Sequence, residues 1–423
     1  MNRTLKWILG LILVISLFGL SGCAPENTLN IGDTFTVTFV DYDDTILKTV
    51  SCEVGVPCDI TPPSEPDNKT NAYFTRWSVF ESKYSTLQSN TEIKAVYTLD
   101  NVALKLFGRS VVFYSVFIMM GIAVGLTLGL REGKRVGIKP DDLIDGFLWI
   151  VPVAILGARL WYVIFEWNSF AYGGIIPSFL RIIGFSSGTL NFSSYGLSGL
   201  AIHGAFVTAI ICAYFFTKKK KIDIFKVIDI IAIGFIIAQA FGRWGNFFNQ
   251  EAHGGLVGGM TGDAANLTLE QQFNYLRYTL HLPEFISNNM YILRGLHGVA
   301  VEPITGYYHP TFFYESSLNV LGFAIMLVLR RLKKVHFGEL LSFYLIWYGA
   351  VRIFIETMRT DPLVFEFLGI TLKSAIVTSV LMIIGGILLS TFIRIKRKDK
   401  TYGTVPGYFE CKKNKCTDSE ENV

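Results

Sequence analysis

Charge is scarce in this sequence: Asp, Glu, Lys and Arg make up 17% of its 423 residues. An ordinary soluble domain carries about a quarter, so that class is excluded. The balance of +4 is small, and no basic patch is interleaved with aromatics, which leaves no footprint for nucleic acid. The 6 cysteines lie in unlike surroundings and do not make one disulfide framework. Among the 6 histidines there is no HExxH pair, and His253, His281 and His297 lack metal-ligand spacing. Neither a Walker loop nor a Ser-His-Asp order is present. A transporter built from two related halves is excluded by the lack of an internal repeat. From these absences no metal and no cofactor is expected.

What fills the sequence instead is apolar: 51% hydrophobic and 14% aromatic residues define a multi-span membrane protein. Apolar runs near 109–130, 143–165, 200–217, 224–242, 312–330, 338–357 and 374–394 predict seven transmembrane helices, a span needing about 20 residues. Every second connection is strongly basic. Arg131, Lys134, Arg135 and Lys139 follow the first run, Lys218 to Lys221 the third, Arg330, Arg331, Lys333 and Lys334 the fifth, and Arg394, Lys396, Arg397 and Lys398 the seventh. The positive-inside rule places these four on the cytoplasmic side of a plasma membrane. Loops 166–199, 243–311 and 358–373 then face outward, as does the segment before the first span, and the tail 396–423 is cytoplasmic.

The first 100 residues have two parts. Residues 1–22 carry Arg3 and Lys6, an apolar stretch from Trp7 to Leu20, and small residues before a cysteine, the form of a secretory signal. Leu20-Ser21-Gly22-Cys23 resembles the lipobox of bacterial lipoproteins, in which the cysteine thiol receives a diacylglyceryl group and becomes the mature N-terminus. Residues 31–98 alternate at period 2 over Thr34 to Phe39 and again over Thr91 to Tyr97, with a turn at Asp41 to Asp44, and predict a small extracellular β domain. It resembles the short β repeats of Gram-positive surface proteins and, without a titratable cluster, reads as a spacer or contact module. Cys52 and Cys58 lie there as either a disulfide or two free thiols. Cys212 reads as packing within a helix, and Cys411 and Cys416 in the tail are a weak metal signal.

Against this apolar background the stretch Gly242 to Gly254 stands out, because Arg243, Asn246, Asn249 and Glu251 directly follow an apolar run. An arginine deep in a bilayer costs about 2.5–3.5 kcal/mol on insertion scales, so ionisable groups at that boundary point to a site. A guanidinium at a helix end reaching toward headgroups is the plainer alternative. The same side collects Arg159, His203, Tyr348, Arg352, Glu356 and Arg359. On a helix, positions 348, 352, 356 and 359 fall within roughly an 80° arc, so their side chains share one face. Arginines and a histidine converging on one leaflet describe an anionic substrate.

Taken together, these blocks resemble the prolipoprotein diacylglyceryl transferase family. The resemblance rests on Gly242-Arg243-x-Gly-Asn246-Phe-x-Asn249-x-Glu251-x-x-Gly254, Tyr114, Gly157-Ala158-Arg159, His203-Gly204, His309-Pro310-Thr311 with Tyr314-Glu315, and Tyr348-Gly349-x-x-Arg352-x-x-x-Glu356-x-x-Arg359. It covers about residues 105–395. It implies a seven-spanning enzyme that moves the diacylglyceryl group of phosphatidylglycerol onto the lipobox cysteine of prolipoproteins, without metal or cofactor. It further implies that Arg243 and Arg352 clamp the phosphate and that His203 is the general base, with Glu251 or Glu356 orienting an arginine or sharing that role. Tyr114, Arg159, Asn246, Asn249, Gly254, Tyr348 and Arg359 would bind the headgroup. Two positions depart from the family pattern: Ala205 replaces a glycine and Phe312 a glutamine. With an intact lipobox, Cys23 would make the chain a substrate of its own reaction. The alternative is a lipid-binding or surface-anchoring protein that kept the fold without the chemistry.

Overall fold

A computed structural model describes residues 30–69, 72–106, 108–185, 187–190, 199, 201–298, 301–360, 364–367 and 370–406, with backbone alone at 202, 203, 365–367 and 370. The signal segment with Cys23, the Cys411 and Cys416 pair and the His203 side chain lie outside the described residues. The chain divides into two compact units between Thr98 and Leu99.

In the first unit four strands, β1 (Thr34–Val40), β2 (Ile46–Glu53), β3 (Phe74–Trp77) and β4 (Thr91–Tyr97), form one sheet in the order β2-β1-β4-β3. Alternation in β1 turns Phe35, Val37 and Phe39 inward, where Phe39 meets Trp77 edge-on at 5.0 Å. β1 pairs antiparallel with β2 and parallel with β4, the parallel pairing closing the unit around Ile93. Cys52 and Cys58 form a disulfide.

The second unit is a helical bundle. Its long helices are α1 (Phe113–Arg135), α2 (Pro140–Phe165), α3 (Ile202–Lys220), α4 (Ile224–Phe248), α5 (Thr311–Leu329), α6 (Glu339–Glu356) and α7 (Ser374–Lys396). Among the described residues, 5 of these, α1, α2, α4, α5 and α7, are long and apolar enough to cross a membrane. Of the other two, α3 ends in three lysines and α6 carries Glu339, Arg352 and Glu356. The first helix starts later than its apolar run suggests, because Arg109–Val112 forms a short hairpin with Val102–Leu106.

α4 is the central helix and packs against α1, α5 and α6, while α2 pairs with α3 and α6 with α7. Small residues set these distances. A Cβ on Gly121 would lie 3.0 Å from the Ala238 Cα, and Gly125 faces Gly234 backbone to backbone. Such a glycine row every fourth residue lets two helices touch where lipid offers no hydrophobic drive.

The basic connections gather at one end. There Glu132 is 2.8 Å from Arg330, and Lys226 donates to the Val136 carbonyl. Buried Asp229 of α4 accepts the backbone N–H groups of Gly338 (2.8 Å) and Leu341 (3.0 Å), satisfying orphan donors at the start of α6. At the opposite end the connection between α4 and α5 folds into a small body. Its helix Leu269–Asn274 starts on a capping box at Thr268, and strands Tyr291–Ile292 and Gly306–Tyr307 pair over a core of Phe273, Leu276, Ile286 and Ile292.

Candidate active site

The organising motif does not follow its helix; it is largely on it. α4 continues past Gly242 to Phe248, so Arg243 and Asn246 project from the last two turns. Gly245 lies inside the helix. It is the spot where α1 crosses, and a Cβ there would fall 3.1 Å from the Tyr114 Cα. That crossing brings Tyr114 beside the motif.

Arg243 meets the other helices through Glu315, one turn into α5. Its Nη2 lies 2.8 Å from Glu315 Oε1, and the second oxygen of that carboxylate is 3.6 Å from Arg352 Nη1 on α6. Arg352 in turn places Nη2 2.9 Å from Glu356, one turn along the same helix. Tyr348, one turn the other way, stands beside the Arg243 guanidinium. Tyr348, Arg352 and Glu356 therefore share a face of α6, which Glu315 joins to α4, whereas Arg359 lies beyond the helix, which ends at Glu356. The carboxylates Glu315 and Glu356 are 2% and 1% exposed, whereas the Arg243 and Arg352 side chains keep 21% and 18%. The open side of the cluster is thus its cationic side, which suits an anion.

Asn246 relays this cluster to the following turn. Arg243 Nη1 donates to Asn246 Oδ1 at 3.2 Å, Asn246 Nδ2 donates to Glu251 at 2.8 Å, and Asn249 donates to the same Glu251 oxygen at 3.3 Å. Glu251 sits between two left-handed residues, Gln250 (φ 53°) and Ala252 (φ 56°). Non-glycine residues in this region cost of order 1–3 kcal/mol, so the surroundings must impose it. They do: Gln250 donates to the carbonyls of Asn289 (2.8 Å) and Tyr291 (3.0 Å), and Thr311 Oγ1 donates to the Ala252 carbonyl (2.6 Å). Gly254 is then threaded between α5 and α6, its N–H donating to the His309 carbonyl (2.8 Å) and its backbone bridging to Arg359. A Cβ there would lie 2.9 Å from that of His309, a steric reason for glycine.

Not every expected residue joins this group. Arg159 donates to the backbone carbonyls of Ile182 (2.9 Å), Arg181 (2.7 Å) and Gly199 (3.2 Å), and so ties down the connection between α2 and α3 instead of lying with Arg243 and Arg352. For His203 only the start of α3 is described, next to Gly204, which packs closely on Gly157 of α2. The residue that sequence reading left without a role is Glu315, noted only as part of a motif; its signal is a carboxylate one turn into an otherwise apolar helix. His309 is held 3.3 Å from the Tyr314 hydroxyl, and burial lowers its pKa below the ordinary 6.5, so it is neutral at neutral pH.

Phe312, the departure from the family pattern, stacks on Phe247 with ring centroids 4.5 Å apart and meets Trp244 edge-on. An apolar ring at this position extends the aromatic cluster of α4 where a glutamine would need a polar partner. Phe313, Tyr314, Ser317 and Leu318 of α5 line an apolar groove of 370 Å³ with Phe354 of α6, Met358 just past its end and Leu280 of the connection between α4 and α5.

Fold and site together define a class: an integral membrane protein whose helices hold a buried cluster of arginines and carboxylates with its cationic face open. Residues 101–392 match the family model described as prolipoprotein diacylglyceryl transferase. A relative from Halalkalibacterium halodurans, named phosphatidylglycerol–prolipoprotein diacylglyceryl transferase, is 39% identical over 298 residues, 70% of this chain and 88% of its own. Relatives of the same name from Listeria innocua (37% over 307 residues, 73% and 94%) and Bacillus cereus strain B4264 (40% over 314 residues, 73% and 98%) agree. The chain belongs to the prolipoprotein diacylglyceryl transferase family.

Proposed function

We propose that this protein transfers the diacylglyceryl group of phosphatidylglycerol to the cysteine thiol of prolipoproteins. One observation carries the reading: Arg243 and Arg352 share the buried carboxylate of Glu315, while their own side chains keep 21% and 18% exposure. In the reaction a C–S bond forms between the cysteine sulfur and the terminal glyceryl carbon. The C–O bond from that carbon to phosphate breaks, and the phosphate oxygen keeps the electron pair. A thiol near its ordinary pKa of about 8.5 must first lose its proton, so a base is required. His203 is that base, with Glu251 or Glu356 sharing the role or orienting an arginine. The two guanidiniums neutralise charge as it gathers on the departing glycerol phosphate, at a site shielded from water.

Tyr114, Asn246, Asn249, Tyr348, Gly254 and Arg359 bind the headgroup, and the apolar groove between α5 and α6 accepts part of an acyl chain. In this reading all seven long helices cross the plasma membrane. The basic end and C-terminus are cytoplasmic, while the site and the β domain face outward, where signal peptides with their lipobox cysteine arrive. Cys23 is then a substrate of the same reaction.

The test is transfer of labelled diacylglyceryl from phosphatidylglycerol to a lipobox peptide by purified protein. Label that requires Arg243 supports the reading. No label with folded protein and a peptide that a known transferase modifies would reject it in favour of a lipid-binding or anchoring role.

A further inference from the structure

The folded connection between α4 and α5 brings a residue from its beginning, His253, together with two from near its end, His297 and Glu302. His253 lies in the site motif, and Glu302 comes 49 residues later. One oxygen of Glu302, Oε1, is 3.0 Å from His253 Nε2 and 2.7 Å from His297 Nδ1, and the three ligand atoms all lie within 4.8 Å of one another. The other oxygen accepts the backbone N–H of His297 at 2.9 Å. Glu302 is wholly buried and His253 nearly so, while the His297 side chain is 31% exposed.

The protonation pattern makes this more than a hydrogen-bonded trio. His253 Nδ1 is 3.0 Å from the Gly254 carbonyl and Nε2 is 3.0 Å from Glu302 Oε1, so both ring nitrogens face groups that only accept. A neutral imidazole has one proton and satisfies only one of them; with that proton on Nδ1, Nε2 turns a lone pair to the carboxylate and needs a positive charge between them. A second proton on the imidazole supplies one. A metal ion supplies another, and the backbone carbonyl holding the far nitrogen is the usual support of a metal-bound histidine.

We propose that His253, His297 and Glu302 form a binding site for a divalent ion of the zinc type, which clips the beginning of this connection to its end. Two imidazole nitrogens and one carboxylate suit that ion, and the exposed His297 side leaves a fourth position for water. With metal–ligand distances of about 2.0–2.2 Å, tetrahedral ligands stand about 3.3–3.5 Å apart. The 2.7 Å separation of His297 from Glu302 Oε1 widens to that value by a small swing of the partly exposed His297 ring, and the 3.0 Å separation of His253 by a shift of a few tenths of an ångström in the Glu302 carboxylate. The clip's first ligand, His253, lies between Glu251 and Gly254, so its ion would fix the motif's far end without touching the substrate.

The experiment uses the full chain without a histidine tag, carrying Cys411→Ser and Cys416→Ser so that the tail offers no thiolates. After stripping with chelator and reconstitution, bound zinc is counted by mass spectrometry, and cobalt substitution is followed by visible absorption. Expected are about one ion per chain and the intense d–d bands of four-coordinate cobalt with nitrogen and oxygen ligands. His297→Ala, which removes a partly exposed ring and leaves the core packing alone, should weaken zinc at least about a hundredfold, and Glu302→Gln should do the same. Should Glu302→Gln fail to fold, His297→Ala still decides. A parent chain that takes up no zinc, or one whose zinc is unchanged by His297→Ala, overturns the proposal and leaves a hydrogen-bonded trio.

Discussion

At the scale of single residues, Glu315 holds the site together. It is the one carboxylate near both arginines, while Glu356 is paired with Arg352 alone among the ion pairs of the described residues. Removing one partner of a buried pair costs about 3–5 kcal/mol because the other charge is left uncompensated. Glu315→Gln should therefore lower both the thermal midpoint and diacylglyceryl transfer more than Glu356→Gln does, a comparison read from paired unfolding scans and initial rates. Arg243→Ala should reduce transfer at least about a hundredfold, the usual loss when one donor to developing charge is removed. Arg243→Lys should recover little, since an ammonium cannot serve Glu315 and Asn246 with one planar fork. Circular dichroism of both arginine variants separates lost chemistry from lost fold.

Among the elements, glycine rows and one half-buried histidine set the limits. A Cβ on Gly349 of α6 would lie 2.8 Å from the Ser379 carbonyl of α7, so Gly349→Leu must push the two helices apart. A loss of about 1–3 kcal/mol is expected from such overpacking, measured as a lowered unfolding midpoint in detergent. His309 gives a pH signature. Because burial lowers its pKa, the unfolded chain binds the proton more readily. The stabilisation is therefore full above about pH 6.5 and fades as the pH falls through the lowered native value. His309→Asn should flatten the decline of the unfolding midpoint between about pH 7 and pH 5; an unchanged decline would assign it to other groups.

The helices were legible because apolar length and loop charge report them directly, and Arg243, Asn246, Glu251, Arg352 and Glu356 were legible because polar residues in apolar runs stand out. The end of α4 was not: Gly245 reads as a breaker from local propensity, yet it is there because Tyr114 crosses at that point. Nor could sequence pair His253 with Glu302, since the meeting depends on how the intervening chain folds. The parallel pairing of β1 with β4 was hidden for the same reason, alternation giving strands but not their neighbours.

For the whole molecule the division at Thr98 and Leu99 matters most, because the family match begins only at residue 101. A chain starting at Leu99 behind an unrelated export signal should insert, fold and transfer diacylglyceryl at a rate within about twofold of the full chain. This is the outcome expected when each unit has its own core. A collapse of peptide transfer with an intact bundle would instead make the β domain part of substrate capture.

The site in its resting state carries two guanidiniums and two carboxylates, so these four groups sum to no net charge. An arriving phosphate, in the proposed reading, meets guanidiniums on the side that the buried carboxylates leave open, with their charge already balanced. Free phosphate in the surrounding water has little to gain from so balanced a site. A phosphate that arrives on a lipid, with its chains already sorted into the bilayer, is held there without that attraction. Such a site discriminates by delivery route more than by charge, and the same weak net attraction lets the small anionic product leave.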